Sequence, residues 1–291
     1  MIKGSYVALV TPFKNNEIDY SALEKLLEFQ IKHETDGLLF CGTTGEAPAL
    51  AGDEKERLVR FGIKSVDKRA PIMVGTGSNN LHHTISATMK AQEWGADYAL
   101  VITPYYNKPT QKGMYEYFKK ITENTDIPLV IYNVPGRTGV NISAETTIKL
   151  ANDFKQIIGI KEASGDLQQV SKIVKNTSKK FAVMSGEDAL NLPIMSCGAK
   201  GAISVTANIL PQKVHDLVEL SEQNKFDKAL SIHQYLIEIN NAMFIETNPI
   251  PVKEALSMMT MIQNEIRLPL EHLLKENSIK LRKVLEQYKL V

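Results

Sequence analysis

The chain has 291 residues, of which 43% are hydrophobic and 23% charged, and its formal net charge is +1. That balance is ordinary for a globular protein, and the lack of a strong field of one sign gives no footing for nucleic acid or an acidic membrane surface. Cys41 and Cys197 stand apart from any CxxC or Cys/His cluster, so neither a disulfide framework nor a structural zinc site is expected.

Met1 to Ser5 carry no signal-peptide pattern and lead directly into a strand. No apolar run reaches the ~18 residues of a membrane span, so a cytoplasmic protein without a membrane partner is expected. From there short apolar segments alternate with amphipathic ones. Strands are predicted at Tyr6–Phe13, Gly37–Gly42, Pro71–Gly75, Tyr98–Thr103, Pro128–Asn133, from Ile157 into Lys161, Phe181–Gly186 and Gly201–Val205. Between the second and third, Asp53 and Glu56 have the spacing of a capping box for a helix carrying Leu58 and Phe61. Ile85 and Met89 share the face of the next helix, with Trp94 further along it. Met114, Tyr117, Phe118 and Ile121 fall at i, i+3, i+4 and i+7.

Eight repeats of this kind point to an α/β fold, a closed (β/α)8 TIM barrel, with an open doubly wound sheet as the alternative. Against the open sheet, no GxGxxG follows any strand; Gly75-Thr76-Gly77-Ser78 comes nearest and lacks the third glycine. After the eighth strand the pattern becomes helical. Pro211 stands where a first helical residue would, ahead of Val214, Leu217, Val218 and Leu220. Further helices are expected at about 226–243, 251–262 and 277–288. Residues 1–224 therefore read as the barrel domain and 225–291 as a helical domain packed on it.

The sixth strand raises the question of chemistry, and the other strand ends have to decide it. Ile157-Ile158-Gly159-Ile160 runs straight into Lys161, then Glu162-Ala163-Ser164-Gly165-Asp166. An apolar run of that kind is a strand buried on both faces, and a lysine at its end is either structural, snorkelling to solvent or paired with Glu162, or functional. Burial disfavours an ammonium and makes the amine a nucleophile able to form Schiff bases with carbonyls. In a barrel, catalytic groups cluster at the carboxyl ends of strands. There stand Gly42-Thr43-Thr44-Gly45-Glu46, Thr103-Pro104-Tyr105-Tyr106-Asn107 and Tyr132-Asn133-Val134-Pro135-Gly136-Arg137. Each has a plain structural reading: a tight turn, rim packing for the tyrosines, a solvated arginine. Taken together they supply an amine, hydroxyl and phenol proton carriers, and a guanidinium fork for a carboxylate. No cluster of histidines at the strand ends offers a zinc site.

These motifs, with Thr138-Gly139 and Ile160-Lys161-Glu162-Ala163-Ser164-Gly165, closely resemble the dihydrodipicolinate synthase (4-hydroxy-tetrahydrodipicolinate synthase) family of pyruvate-dependent class I aldolases. The resemblance covers essentially the whole chain, including Asn248-Pro249-Ile250-Pro251-Val252-Lys253. It implies an imine between Lys161 and pyruvate, whose enamine attacks L-aspartate 4-semialdehyde, with no cofactor beyond that Schiff base and no metal. It implies a proton relay of Tyr132, Thr44 and Tyr106, the last reaching into a neighbouring subunit. Arg137 would hold the semialdehyde carboxylate, and Thr43, Thr44, Gly186 and Ile203 would contact pyruvate. A homo-oligomer is implied, a tight dimer and usually a tetramer. N-acetylneuraminate lyases and 2-keto-3-deoxy-sugar-acid aldolases share the lysine strand and the tyrosine but typically lack Arg137-Thr138. A non-catalytic pyruvate-binding relative would most readily have lost the lysine or a relay tyrosine, and both are kept here.

One departure stands out. Lysine-inhibited members of the family tend to carry histidines where this chain has Gly52 and Lys55, and a glutamate where it has His83. His83 cannot supply the negative charge that would pair with the effector's amine, although Tyr105 and Asn79 remain. Weak or absent lysine feedback is expected. The adjacent His82 and His83 otherwise read as a solvated helix face.

Overall fold

Eight parallel strands close on themselves in the computed structural model, which describes residues 2–291. They are β1 (Gly4–Ala8), β2 (Gly37–Phe40), β3 (Ile72–Gly75), β4 (Tyr98–Ile102), β5 (Leu129–Asn133), β6 (Ile157–Glu162), β7 (Ala182–Ser185) and β8 (Gly201–Ser204). β1 pairs with β8 on one side, Tyr6 opposite Ile203, and with β2 on the other, Tyr6 opposite Gly37, which shuts the barrel. The fold is thus the (β/α)8 barrel that the repeats imply, and not the open sheet.

Side chains alternate between two apolar regions, as the period of two along a strand requires. Tyr6, Ala8, Leu39, Met73, Leu100, Val130, Tyr132, Met184 and Ile203 fill the barrel interior. Val7, Leu38, Phe40, Val101, Ile131 and Ile160 face outward into a second cluster under the helices. That outer cluster continues without a break into Leu236, Ile239, Val252, Leu256, Leu281 and Leu285 of the C-terminal helices.

Three local expectations are corrected. β1 stops at Ala8, and Phe13–Lys14 instead pairs antiparallel with Glu17–Ile18 around Asn15 and Asn16, both at positive φ (55° and 61°). Asparagines tolerate that left-handed conformation, which suits a tight hairpin. Asn208 ends the strand by donating to the Ala8 carbonyl at 2.8 Å and accepting from the Val10 N–H at 3.1 Å. Second, the helix after β2 begins at Gly52 with Ala51 as its N-cap, and Glu54 accepts from the Ala51 N–H at 2.9 Å. Asp53 and Glu56 sit inside the helix and pair with Arg57 and Arg60 one turn on. Third, Met89 is 54% exposed; helix Leu81–Trp94 buries Thr84, Thr88 and Ala91 instead. The threonines are tolerated because their hydroxyls are satisfied, by Tyr117, Thr76 and the Thr84 carbonyl.

The remaining helices follow the pattern. Gln111–Thr122 buries Met114, Tyr117, Phe118 and Ile121. Pro211 opens Pro211–Glu222, and Phe226–Ala242, Ile250–Met258 and Lys275–Gln287 follow. No helix among the described residues is long and apolar enough to cross a membrane.

Candidate active site

The register of β5 against β6 sets Tyr132 opposite Lys161. Both point into the barrel, where the Lys161 amine lies over the Tyr132 ring, 4.5 Å from its centre. Lys161 is 6% exposed. Glu162, one residue on, must face the other way. Its carboxylate is buried outside the barrel, accepting from Asn133 Nδ2 at 3.0 Å, Gln169 Nε2 at 3.0 Å and the Ser164 N–H at 2.8 Å. The pairing of Lys161 with Glu162 is thereby ruled out, and the amine is left for the cavity.

That cavity, of about 920 Å³, opens at the carboxyl ends of the strands. Thr43, Thr44, Tyr132, Arg137, Lys161 and Gly186 all line it. A β-carbon at Gly186 would come within 2.9 Å of both Lys161 Cε and Ala163 Cβ, so glycine is what lets the lysine lie against this wall. Thr44 is buried and accepts from Asn248 Nδ2 at 3.0 Å. Arg137 sits at the rim on the short turn Pro135–Thr138, one Nη donating to the Asn248 carbonyl at 3.1 Å. Two of the sequence-expected residues lie elsewhere. Ile203 is buried in the barrel interior and is not part of the cavity wall. Tyr106 is 89% exposed with φ of 68°, a left-handed conformation unusual for an aromatic residue, on the loop after β4.

Several groups carry no signal in the local sequence. Glu187 lines the cavity beyond Gly186; burial and then Asp188 push its carboxyl up from the usual range, with Lys161 opposing. The Cys41 thiol at the wall is pushed up to about 12 by burial, so it stays protonated and is a poor nucleophile. Beneath the Thr43-Thr44 loop, Glu46 accepts from Lys253 Nζ at 2.5 Å and from the Arg267 N–H at 2.9 Å, fully inside the protein. Burial lowers the Lys253 pKa against the pull of Glu46. The ring of Phe13 lies 4.2 Å from both the Lys253 amine and the Arg267 guanidinium. Arg267 in turn holds Glu54 through both Nη atoms at 2.8 and 2.7 Å.

The outer part of the cavity is lined by Gly52, Lys55, His83 and Tyr105. Among the described residues no group of three or more His, Cys, Asp or Glu side chains could hold a metal ion. The chemistry offered is that of an amine nucleophile beside a phenol and a hydroxyl, with a cation at the rim.

The model of the dihydrodipicolinate synthetase family matches residues 1–288. The chain is 49% identical over 291 residues to a 4-hydroxy-tetrahydrodipicolinate synthase of Hydrogenobaculum sp., with both chains covered in full. It is 50% identical over 291 residues to one of Thermodesulfovibrio yellowstonii, again with full coverage of both. The crystal structure of dihydrodipicolinate synthase from Aquifex aeolicus superposes with a TM-score of 0.98 at 47% identity, covering 99% of each chain.

Proposed function

The chain belongs to the dihydrodipicolinate synthetase family, and we propose that Lys161, Tyr132, Thr44 and Tyr106 carry its condensation of pyruvate with L-aspartate 4-semialdehyde to 4-hydroxy-tetrahydrodipicolinate. The observation that carries this division of labour is the unpaired Lys161 amine over the Tyr132 ring in a cavity that Thr44 also lines.

The amine adds to the pyruvate ketone and water leaves, giving an iminium that withdraws electrons from the adjacent methyl. Loss of a methyl proton gives the enamine, whose carbon attacks the aldehyde of the second substrate. The amino group of that substrate then displaces Lys161 from the imine carbon, closing the ring and freeing the enzyme. Each step moves a proton, and Tyr132 with Thr44, which line the same cavity, are the carriers proposed for it. The iminium is itself the electron sink, so no cofactor is required. Thr43 and Gly186 on the cavity wall are proposed pyruvate contacts, with Ile203, which packs in the barrel-interior cluster that also holds the cavity-lining Tyr132, as the third. Arg137 spends one N–H on Asn248 and keeps the rest of its fork for the semialdehyde carboxylate.

Tyr106, exposed on a left-handed turn, is assigned to the relay of a second copy of the chain, so a homodimer is the smallest complete enzyme and a tetramer of two such dimers the proposed assembly. Residues 225–291 form a helical domain that completes the site through Asn248. With two free cysteines and no disulfide, a cytoplasmic location fits the chain.

Borohydride reduction in the presence of pyruvate tests the reading: wild type should gain the mass of the reduced pyruvyl group and Lys161→Ala should not. An adduct that persists in the variant would place the imine elsewhere. The cavity rim around Lys55 and His83 presents no carboxylate of its own for an effector amine, and half-inhibition by lysine is expected no lower than the millimolar range. Inhibition well below it would show that another group supplies the charge.

A further inference from the structure

Asn248 lies 204 residues from Thr44 in sequence, yet its side chain is the one group among the described residues that bonds the Thr44 hydroxyl. Both residues are buried, at 5% and 2% exposure. We infer that Asn248 is a positioning residue that sets the direction of the proton relay, by filling a lone pair of Thr44 and leaving that hydroxyl's single proton for the cavity. The inference rests on the assignment of Thr44 to the relay made above.

The argument is one of donors and acceptors. A hydroxyl has one proton to give and two lone pairs to fill, and its proton turns to suit its partners. A rotor of this kind facing only a cavity would donate or accept at random. Asn248 Nδ2 at 3.0 Å can only donate, so Thr44 must accept there. Its proton is then directed to whatever basic atom occupies the cavity, which the Tyr132 phenol also lines. The opposite amide orientation would present an acceptor to Thr44 and claim that proton. It would also bury an unpaired NH2, with two donors, where Oδ1 now sits as an acceptor lacking a partner; an orphaned pair of donors is the costlier arrangement.

Asn248 is held for this task from two sides. Its own carbonyl accepts from Arg137 at 3.1 Å. Five residues on, Lys253 is locked to Glu46, two residues beyond Thr44 on the same loop. The C-terminal segment therefore grips the loop at Thr44 and Glu46 together, and its backbone cannot drift from the loop without breaking a buried ion pair. Because the bond to Arg137 comes from the backbone, removing the Asn248 side chain leaves it in place. The relay and the carboxylate clamp can thus be separated by experiment.

The test is a double-mutant cycle on steady-state turnover, with Asn248→Ala, Thr44→Val and the pair. In Asn248→Ala the borohydride-trapped pyruvate adduct should still form, the KM for the semialdehyde should stay within about twofold, and kcat should fall about tenfold or more, a part of what a positioned proton carrier contributes. In the Thr44→Val background the same substitution should change kcat by less than about twofold, since residues acting as a unit are not additive. Asn248→Asp, nearly isosteric, should lose more kcat than the alanine variant because its carboxylate takes the Thr44 proton. Equal losses in both backgrounds, or wild-type kcat in Asn248→Asp, would overturn the inference. Wild-type kcat in Thr44→Val would mark a different failure, that of the relay role of Thr44 itself, and the inference would fall with it.

Discussion

At the scale of residues, the site depends on what is absent beside Lys161 as much as on what is present. Gly186 leaves the wall bare where the lysine stem lies. In Gly186→Ala the new β-carbon would press on Ala163 Cβ as well as on Lys161 Cγ and Cε, so the strand end must shift along with the lysine stem and some stability should be lost. The substitution should displace the amine and lower kcat about tenfold or more, as a misplacement near 1 Å does in other sites. Intact melting with unchanged turnover would show that the stem can move aside freely. Lys161 stood out in the sequence because a cation closing an apolar strand is a conflict that demands a reason. Which way it faced was not readable, and the obvious partner Glu162 proved to be on the other face. Asn248 was legible only as part of a resemblance, because nothing near it in sequence points to a hydroxyl 204 residues away.

Among elements, the strands were legible because parallel strands buried on both faces must be apolar throughout. Their ends and the helix faces were harder. The segment Leu9–Pro12 is as apolar as β1 but leaves the barrel, and Thr84 and Thr88 pack where a methionine seemed the better candidate. The charged seam joining the Thr43-Thr44 loop, the first hairpin and the C-terminal region was not legible at all, since its members are scattered. It makes two predictions. Lys253→Met leaves Glu46 buried with its charge unpaired and should cost roughly 3–5 kcal/mol, read in denaturant unfolding. Adding Glu46→Gln should recover part of that loss, and no recovery would mean that packing around Phe13 dominates. Glu54, bonded to Arg267, is held down at about 2 from an ordinary 4.5. A carboxylate whose pKa falls on folding contributes stability that is complete above its unfolded value and is lost as pH falls toward the folded one. Between pH 4.5 and about 2, wild type should therefore lose stability more steeply than Glu54→Gln, and parallel acid curves would contradict the assignment.

For the whole molecule, Tyr106 is the residue proposed to serve a second copy of the chain. It is exposed, left-handed and outside the cavity of its own barrel. If it serves a second copy, mixing Lys161→Ala with Tyr106→Phe and allowing subunits to exchange should restore turnover. Each hybrid dimer would contain one site with an intact lysine and a donated tyrosine. Activity no greater than the sum of the separate variants would confine Tyr106 to its own chain.

The grip of Asn248, Lys253 and Arg267 on the Thr43-Thr44 loop has a consequence in time. A ribosome delivers the barrel strands and Lys161 first and these three residues near the end, and chains fold in the order they emerge. A nascent chain halted before Asn248 already carries its proposed nucleophile but lacks the amide that bonds the Thr44 hydroxyl. On the roles proposed above, such a chain could still condense its amine with a keto acid but would lack the directed proton transfer that turnover needs, so an interrupted chain is a carbonyl trap rather than a working enzyme.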